Sequence, residues 1–185
     1  MTATTLDPRT ALVVIDLQSG IVGLPTVHPA DAVVARSARL AAGFRKAGLP
    51  VVLVNVTGVA PGRTDGGPAP VTSFPAEWTE LVPELDRQPE DITVSKRQWG
   101  AFYGTGLDME LRRRGVTQIV LCGISTSIGV ESTARDAYEH GYHVTVATDS
   151  VTDTDPAAHE RSVATIFPRL GETGTADEIL ALLPA

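Results

Sequence analysis

The chain has 185 residues, with 15 lysines and arginines against 22 aspartates and glutamates, a net charge of −7 and an apolar fraction of 43%. Against a prior of about 150 residues per domain, that length reads as one domain spanning residues 1–185, and it buries a core that needs no disulfide or metal staple. The single cysteine, Cys122, excludes a disulfide framework and a Cys-rich zinc site. The acidic balance argues against nucleic acid and anionic membranes as partners. No apolar run reaches the ~18 residues of a membrane span, and MTATTLDPRT has neither the basic start nor the apolar stretch of a secretory leader, so the chain reads as cytoplasmic.

Short apolar runs alternate with helix-period segments along the chain. The runs are Ala11 to Ile15, stopped by Asp16; Val51 to Val56; Ile92 to Val94, leading to Lys96; Gln118 to Ile124; His143 to Ala147, followed by Asp149; and a weaker sixth at Glu172 to Thr175. They are continuously apolar rather than alternating, which is the pattern of parallel strands buried on both faces. Between them, Val33, Ser37, Leu40, Ala41 and Phe44 share one helical face closed by Gly48. Leu107 and Leu111 anchor a second helix whose last turn carries Arg112 to Arg114, where the helix dipole favours positive charge. Val130, Ala134, Ala137 and Tyr138 line a third, and Ala157, Ala158, Val163, Ile166 and Phe167 a fourth. Thr175 and Glu178 form a capping box that opens a fifth. The Gly- and Pro-dense stretch from Gly58 to Pro70, continuing to about Asp91, is a long excursion. The alternation predicts a three-layer α/β fold: a six-stranded, mainly parallel sheet with helices on both faces.

No G-x-G-x-x-G follows the first strand, no Walker A pattern occurs, and Ser127 has Ser125 where a nucleophile elbow needs glycine. The histidines, His28, His140, His143 and His159, show no metal-ligand spacing. In open parallel sheets ligands bind beyond the carboxyl ends of the strands, at the switch in strand order. The residues there are Asp16, Asn55, Lys96, the stretch Gly123 to Gly129 and Asp149. An Asp and a Lys at two strand ends make a crevice charge pair. The small residues of GISTSIG suit a sharp turn whose helix-start N–H groups can receive an anion.

TALVVIDLQ, together with VSKRQWGAFYGTGLDMELRRRGVTQIVLCGISTSIGVESTARDAYEHGYHVTVATDSVTD, resembles the isochorismatase-like hydrolase family, with similarity from about Thr10 to Leu183. The resemblance implies a six-stranded parallel sheet and, in most members, an Asp–Lys–Cys catalytic set. Asp16 and Lys96 match the first two positions; Gly129 stands where the cysteine would be. Cys122, within a strand, is not a substitute, because burial raises a thiol's pKa and makes it inert. Glycine at that position also resembles members that hydrolyse isochorismate, a vinyl ether, without a covalent intermediate. The resemblance further implies a cis peptide between Ile124 and Ser125.

On that basis Asp16 is the general acid, and Lys96 holds a substrate carboxylate or orients Asp16. Gly129 leaves room for substrate. Gln18, Trp99, Phe102, Ile124 and Ser125 bind substrate, with Arg63 and Trp78 as further candidates. No metal and no cofactor are expected, since VNVTGV lacks the histidines of metal-dependent relatives. The substrate is a small, anionic molecule, and the protein a homo-oligomer, a dimer or tetramer. Two other functions compete: hydrolysis of another small amide or ester, with Ser125 or Ser127 as fallback nucleophile, and non-catalytic binding of a small molecule.

Overall fold

The computed structural model describes residues 3–68 and 73–184. In chain order they form β1 (Thr10–Ile15), α1 (Ser19–Val22), α2 (Ala30–Lys46), β2 (Val51–Val56), a hairpin of β3 (Arg63–Thr64) and β4 (Gly67–Pro68), and α3 (Ala76–Thr79). Then follow β5 (Ile92–Lys96), α4 (Leu107–Arg113), β6 (Gln118–Ile124), α5 (Glu131–Glu139), β7 (His143–Thr152), α6 (Pro156–Arg161), α7 (Phe167–Leu170), β8 (Glu172–Gly174) and α8 (Ala176–Ala181). Part of the expected excursion, at 69–72, lies outside the described residues.

Six strands pair in parallel in the order β5-β2-β1-β6-β7-β8. The continuous apolar runs are explained by the two cores they serve. In β1, Ala11, Val13 and Ile15 face the core packed by α4, α5 and α7, while Leu12 and Val14 face the core packed by α2 and α8. A strand with a helical layer on each face has no solvent side on which to place polar residues. The chain runs outward from β1 through β2 to β5, then returns to β6 on the other side of β1. The switch in strand order therefore falls between β1 and β6.

Local chemistry sets the ends of these elements. The capping box of Thr175 and Glu178 opens α8. Arg112 and Arg113 lie in the last turn of α4, paired with Asp108 and Glu110. One strand departs from the expectation: β7 runs on to Thr152 instead of ending at Ala147. A register shift against β6 between Leu121 and Gly123 accommodates the extension. Asp149 is consequently inside the strand, paired with Arg36 at 3.5 Å and accepting from the Ala176 N–H at 2.8 Å. It does not reach the ligand end of the sheet. The excursion packs back onto the body through an antiparallel bridge between Gln18 and Leu81 and a half-buried ion pair, Arg45–Asp91, at 2.7 Å.

Candidate active site

The site begins with the backbone at the switch point. Register pairs Ile15 with Gly123, so the residues that follow them, Asp16 and Ile124, emerge side by side. Gly123 has φ +120°, and a Cβ there would stand 2.0 Å from the Ile15 carbonyl oxygen. Only glycine lets β6 lie this close to the end of β1. Asp16 itself takes a left-handed φ of 52°, ending β1, while its N–H still donates to the Val54 carbonyl at 3.0 Å. A non-glycine residue in that region is uncommon and is held only where the surroundings fix it.

Lys96 arrives from β5, two strands away. Its Nζ donates to Asp16 Oδ2 at 2.7 Å and to the Trp99 carbonyl at 2.6 Å. Both side chains are buried, at 1% exposure for Lys96 and 7% for Asp16. Beyond Ile124 the chain passes through a cis peptide to Ser125, then a π-helical turn, Thr126–Val130, that leads into α5. This turn brings Gly129 onto the ion pair. A Cβ on Gly129 would lie 3.1 Å from Asp16 Oδ2, 3.3 Å from Lys96 Nζ and 2.9 Å from Ile15 Cγ2. Asp16, Lys96 and Gly129, separated by 80 and 33 residues in sequence, thus converge.

The electrostatics of the pair are uneven. Asp16 Oδ1 is buried and has no hydrogen-bond partner, although Oδ2 is bonded to Lys96. Burial pushes the Asp16 carboxyl up to about 6, against the opposing pull of the Lys96 charge and hydrogen bond. Desolvation therefore outweighs the ion pair, and the neutral acid is accessible near neutral pH. Such a carboxyl is suited to moving a proton.

Asp16, Lys96, Gly129, Trp99, Ile124 and Ser125 all line one cavity of about 250 Å³. Trp78 lines it too. Two expected binding residues do not. Phe102 is 5% exposed and packs in the core, stacked on His140 with ring centroids 5.1 Å apart. Nearness to Lys96 in sequence did not place its ring on the cavity side of the loop. Gln18 is fully buried, and its amide is consumed by the backbone. It donates to the carbonyls of Val56 at 3.0 Å and Trp78 at 3.3 Å, and accepts from the Val56 N–H at 2.7 Å. Its side chain fastens the excursion to β2 and is not part of the cavity lining. Arg63 is exposed on the hairpin, away from the cavity lining.

Asp153 was missed. It lies one residue past the end of the extended β7 and is 1% exposed. Its carboxylate accepts from the Ser127 N–H at 2.7 Å and the Ser127 hydroxyl at 2.8 Å, and from the Thr154 N–H at 2.8 Å. The Ile128 and Val130 N–H groups are bonded to the Ser125 carbonyl. Those turn N–H groups, expected to receive a substrate anion, are therefore already occupied. The visible signal was the repeated aspartate of TDSVTD. On the other side of the turn, Thr126 shares a 2.9 Å hydrogen bond with His159 Nδ1. Cys122 is fully buried within β6, and burial pushes its thiol up to about 12. Among the described residues no cluster of three His, Cys, Asp or Glu side chains gathers to hold a metal, and no helix is long and apolar enough to cross a membrane.

A doubly wound parallel sheet with a buried Asp–Lys pair at its switch point defines a small α/β protein. Residues 10–178 match the isochorismatase domain family, and the chain belongs to that family of hydrolases. It is 46% identical over 182 residues to the isochorismatase family protein YecD of Escherichia coli O157:H7, covering 94% of this chain and 96% of that one. It is 32% identical over 193 residues to a ureidoacrylate amidohydrolase of Methylobacterium radiotolerans, covering 87% and 74%. The structure of an isochorismatase family protein from Burkholderia thailandensis superposes with a TM-score of 0.92 at 47% identity, covering 97% of each chain.

Proposed function

We propose that this hydrolase works without a thiol, cleaving the vinyl ether of isochorismate or a related small acid with Asp16 as general acid. The observation that carries this reading is the buried acid in the cavity wall: Asp16 Oδ1 has no hydrogen-bond partner, and Gly129, packed against the ion pair, places no thiol there. A substrate atom in the cavity that Asp16 lines can accept its proton. In the proposed reaction the neutral Asp16 carboxyl gives its proton to the terminal vinyl carbon. The ether carbon becomes an oxocarbenium ion, and water adds to it, returning a proton to the carboxylate. The hemiketal then collapses to pyruvate and the freed alcohol. Lys96 orients the carboxyl through Oδ2 and supplies positive charge for the substrate's carboxylate. A bound anion raises the Asp16 pKa further, which favours the protonated form at the moment of reaction.

The amidohydrolase relative favours a second reading, in which Asp16 as carboxylate activates water against a small amide. Incubation with isochorismate and with a panel of small amides, following pyruvate and ammonia, separates the two. Pyruvate release supports the first. Ammonia release without pyruvate replaces it with the second. On the proposed reading the protein acts in the cytoplasm as a dimer or tetramer, supported by the exposed Tyr103, Met109 and Tyr138, and sedimentation measures the assembly.

A further inference from the structure

The cavity's lining is unusual in how little charge it carries. Among the described residues that line it, Asp16 and Lys96 are the only charged ones. Lys96 has three N–H donors, of which two are committed to Asp16 and to the Trp99 carbonyl. The Gln98 amide, also in the lining, donates to the carbonyls of Gly100 and Tyr103. That leaves one Lys96 donor, the hydroxyls of Ser125 and Thr154 and the indole N–H groups of Trp78 and Trp99 as the polar side-chain resources beside Asp16, none of them a second cation.

The remainder is apolar and aromatic. Trp78 and Phe74 form a tilted pair with centroids 4.1 Å apart on one wall, and Trp99, 66% exposed, stands at another. The Trp78 indole lies directly on Gly20, where a Cβ would come within 1.9 Å of its Cε2. Its backbone is held by Gln18. The aromatic wall is therefore seated from beneath and tied at its carbonyl. Ile21, Val59 and Ile128 complete the surround.

With Asp16 carrying its proton, the lining has a net charge of +1, which compensates one anionic group. A second carboxylate on the same ligand meets apolar walls and no free cation, so its desolvation is uncompensated. A planar apolar body, by contrast, finds an aromatic platform. We propose that the site selects small monoanions, one carboxylate on an apolar and preferably aromatic body, and discriminates against dicarboxylates. This rests on the reading of Asp16 as a proton donor. It puts isochorismate itself, with two carboxylates, among the weaker substrates of its class.

The test uses a matched pair, 2-phenoxyacrylate and 2-(3-carboxyphenoxy)acrylate. Water addition and cleavage give pyruvate plus phenol from the first, and pyruvate plus 3-hydroxybenzoate from the second. The expected result is kcat/KM at least ~10-fold higher for the monoacid, since the second carboxylate is buried without a partner. Equal rates, or a preference for the diacid, overturn the proposal. If neither ether is hydrolysed, the vinyl-ether reading fails, and binding of the saturated analogues 2-phenoxypropanoate and 2-(3-carboxyphenoxy)propanoate still decides selectivity. Calorimetry should show the monoacid binding at least ~10-fold tighter; equal affinity, tighter diacid binding or no binding of either overturns it. Trp78→Ala should weaken 2-phenoxypropanoate at least ~5-fold more than it weakens 2-methoxypropanoate. An equal loss for both removes the aromatic platform from the account.

Discussion

Lys96 and Asp16 form a 2.7 Å ion pair in which one carboxylate oxygen is bonded and the other, Oδ1, is buried with nothing to accept from. A purely structural ion pair in a dry interior is stable only when its remaining lone pairs are satisfied. Leaving Oδ1 open favours the neutral carboxyl, and on the proposed reading its proton is the one that substrate collects.

The pH dependence follows from that asymmetry. Asp16 is pushed up to about 6, so the protonated acid dominates below that value. For a general acid, kcat/KM is flat below pH 6 and falls about tenfold per pH unit above it. The native state also binds more protons than the unfolded chain between the ordinary value of 3.8 and about 6, so this group's contribution to stability declines as pH rises through that window. Initial rates from pH 5 to 8 check the profile. Activity that rises with pH through 6 assigns Asp16 to the carboxylate role instead.

A side chain at position 129 should be costly to activity and mild for folding. In Gly129→Ala the new methyl meets Asp16 Oδ2 at 3.1 Å and Ile15 Cγ2 at 2.9 Å. Its overpacking is expected to cost about 1–3 kcal/mol of stability. Displacing Asp16 and Lys96 from their paired geometry should lower kcat by at least ~10-fold. Paired denaturation and rate measurements read both; full activity in a folded variant shows that the pair's geometry does not set the rate.

Cys122 should be silent. Its thiol is fully buried and pushed up to about 12, leaving almost no thiolate to react. Iodoacetamide should leave native activity and intact mass unchanged and add one alkyl group only after denaturation. Rapid native alkylation would contradict the burial of β6.

Asp153 clamps the turn that carries Gly129. Asp153→Ala removes the charge-assisted bonds to the Ser127 N–H and hydroxyl. The variant should lose about 2–3 kcal/mol of stability, with kcat falling further than the stability loss explains. Urea titration and activity at low denaturant test this. An unaffected kcat would make the clamp purely structural.

What the sequence made legible depended on how clean each boundary was. The apolar run of β1 ends abruptly at Asp16, and that of β5 leads directly to Lys96, so both strand-end charges could be read from the pattern alone. The turn from Gly123 to Gly129 could be read from its small residues, but the pairing of Gly129 with Asp16 and Lys96 came only through the family resemblance. The end of β7 was obscured because Thr148, Asp149 and Ser150 are polar, yet they remain in the strand. Asp149 finds its partners in Arg36 of α2 and Ala176 of α8, and neither contact is visible in a local window. That hid Thr152 as the true strand end and Asp153 just beyond it. Phe102 and Gln18 were misplaced for a related reason: both follow a site residue closely in sequence. Which way each side chain turns is set by distant partners, His140 for Phe102 and the Val56 backbone for Gln18.

The central claim is that Asp16 donates the proton in a thiol-independent vinyl-ether cleavage. The most direct measurement is pyruvate release from an enolpyruvyl ether by the wild-type protein and by Asp16→Asn, whose amide keeps the shape but cannot act as the acid. The account predicts measurable turnover by the wild type and a loss of at least ~100-fold in the variant with its fold intact. Turnover retained by Asp16→Asn at near wild-type rate would contradict it.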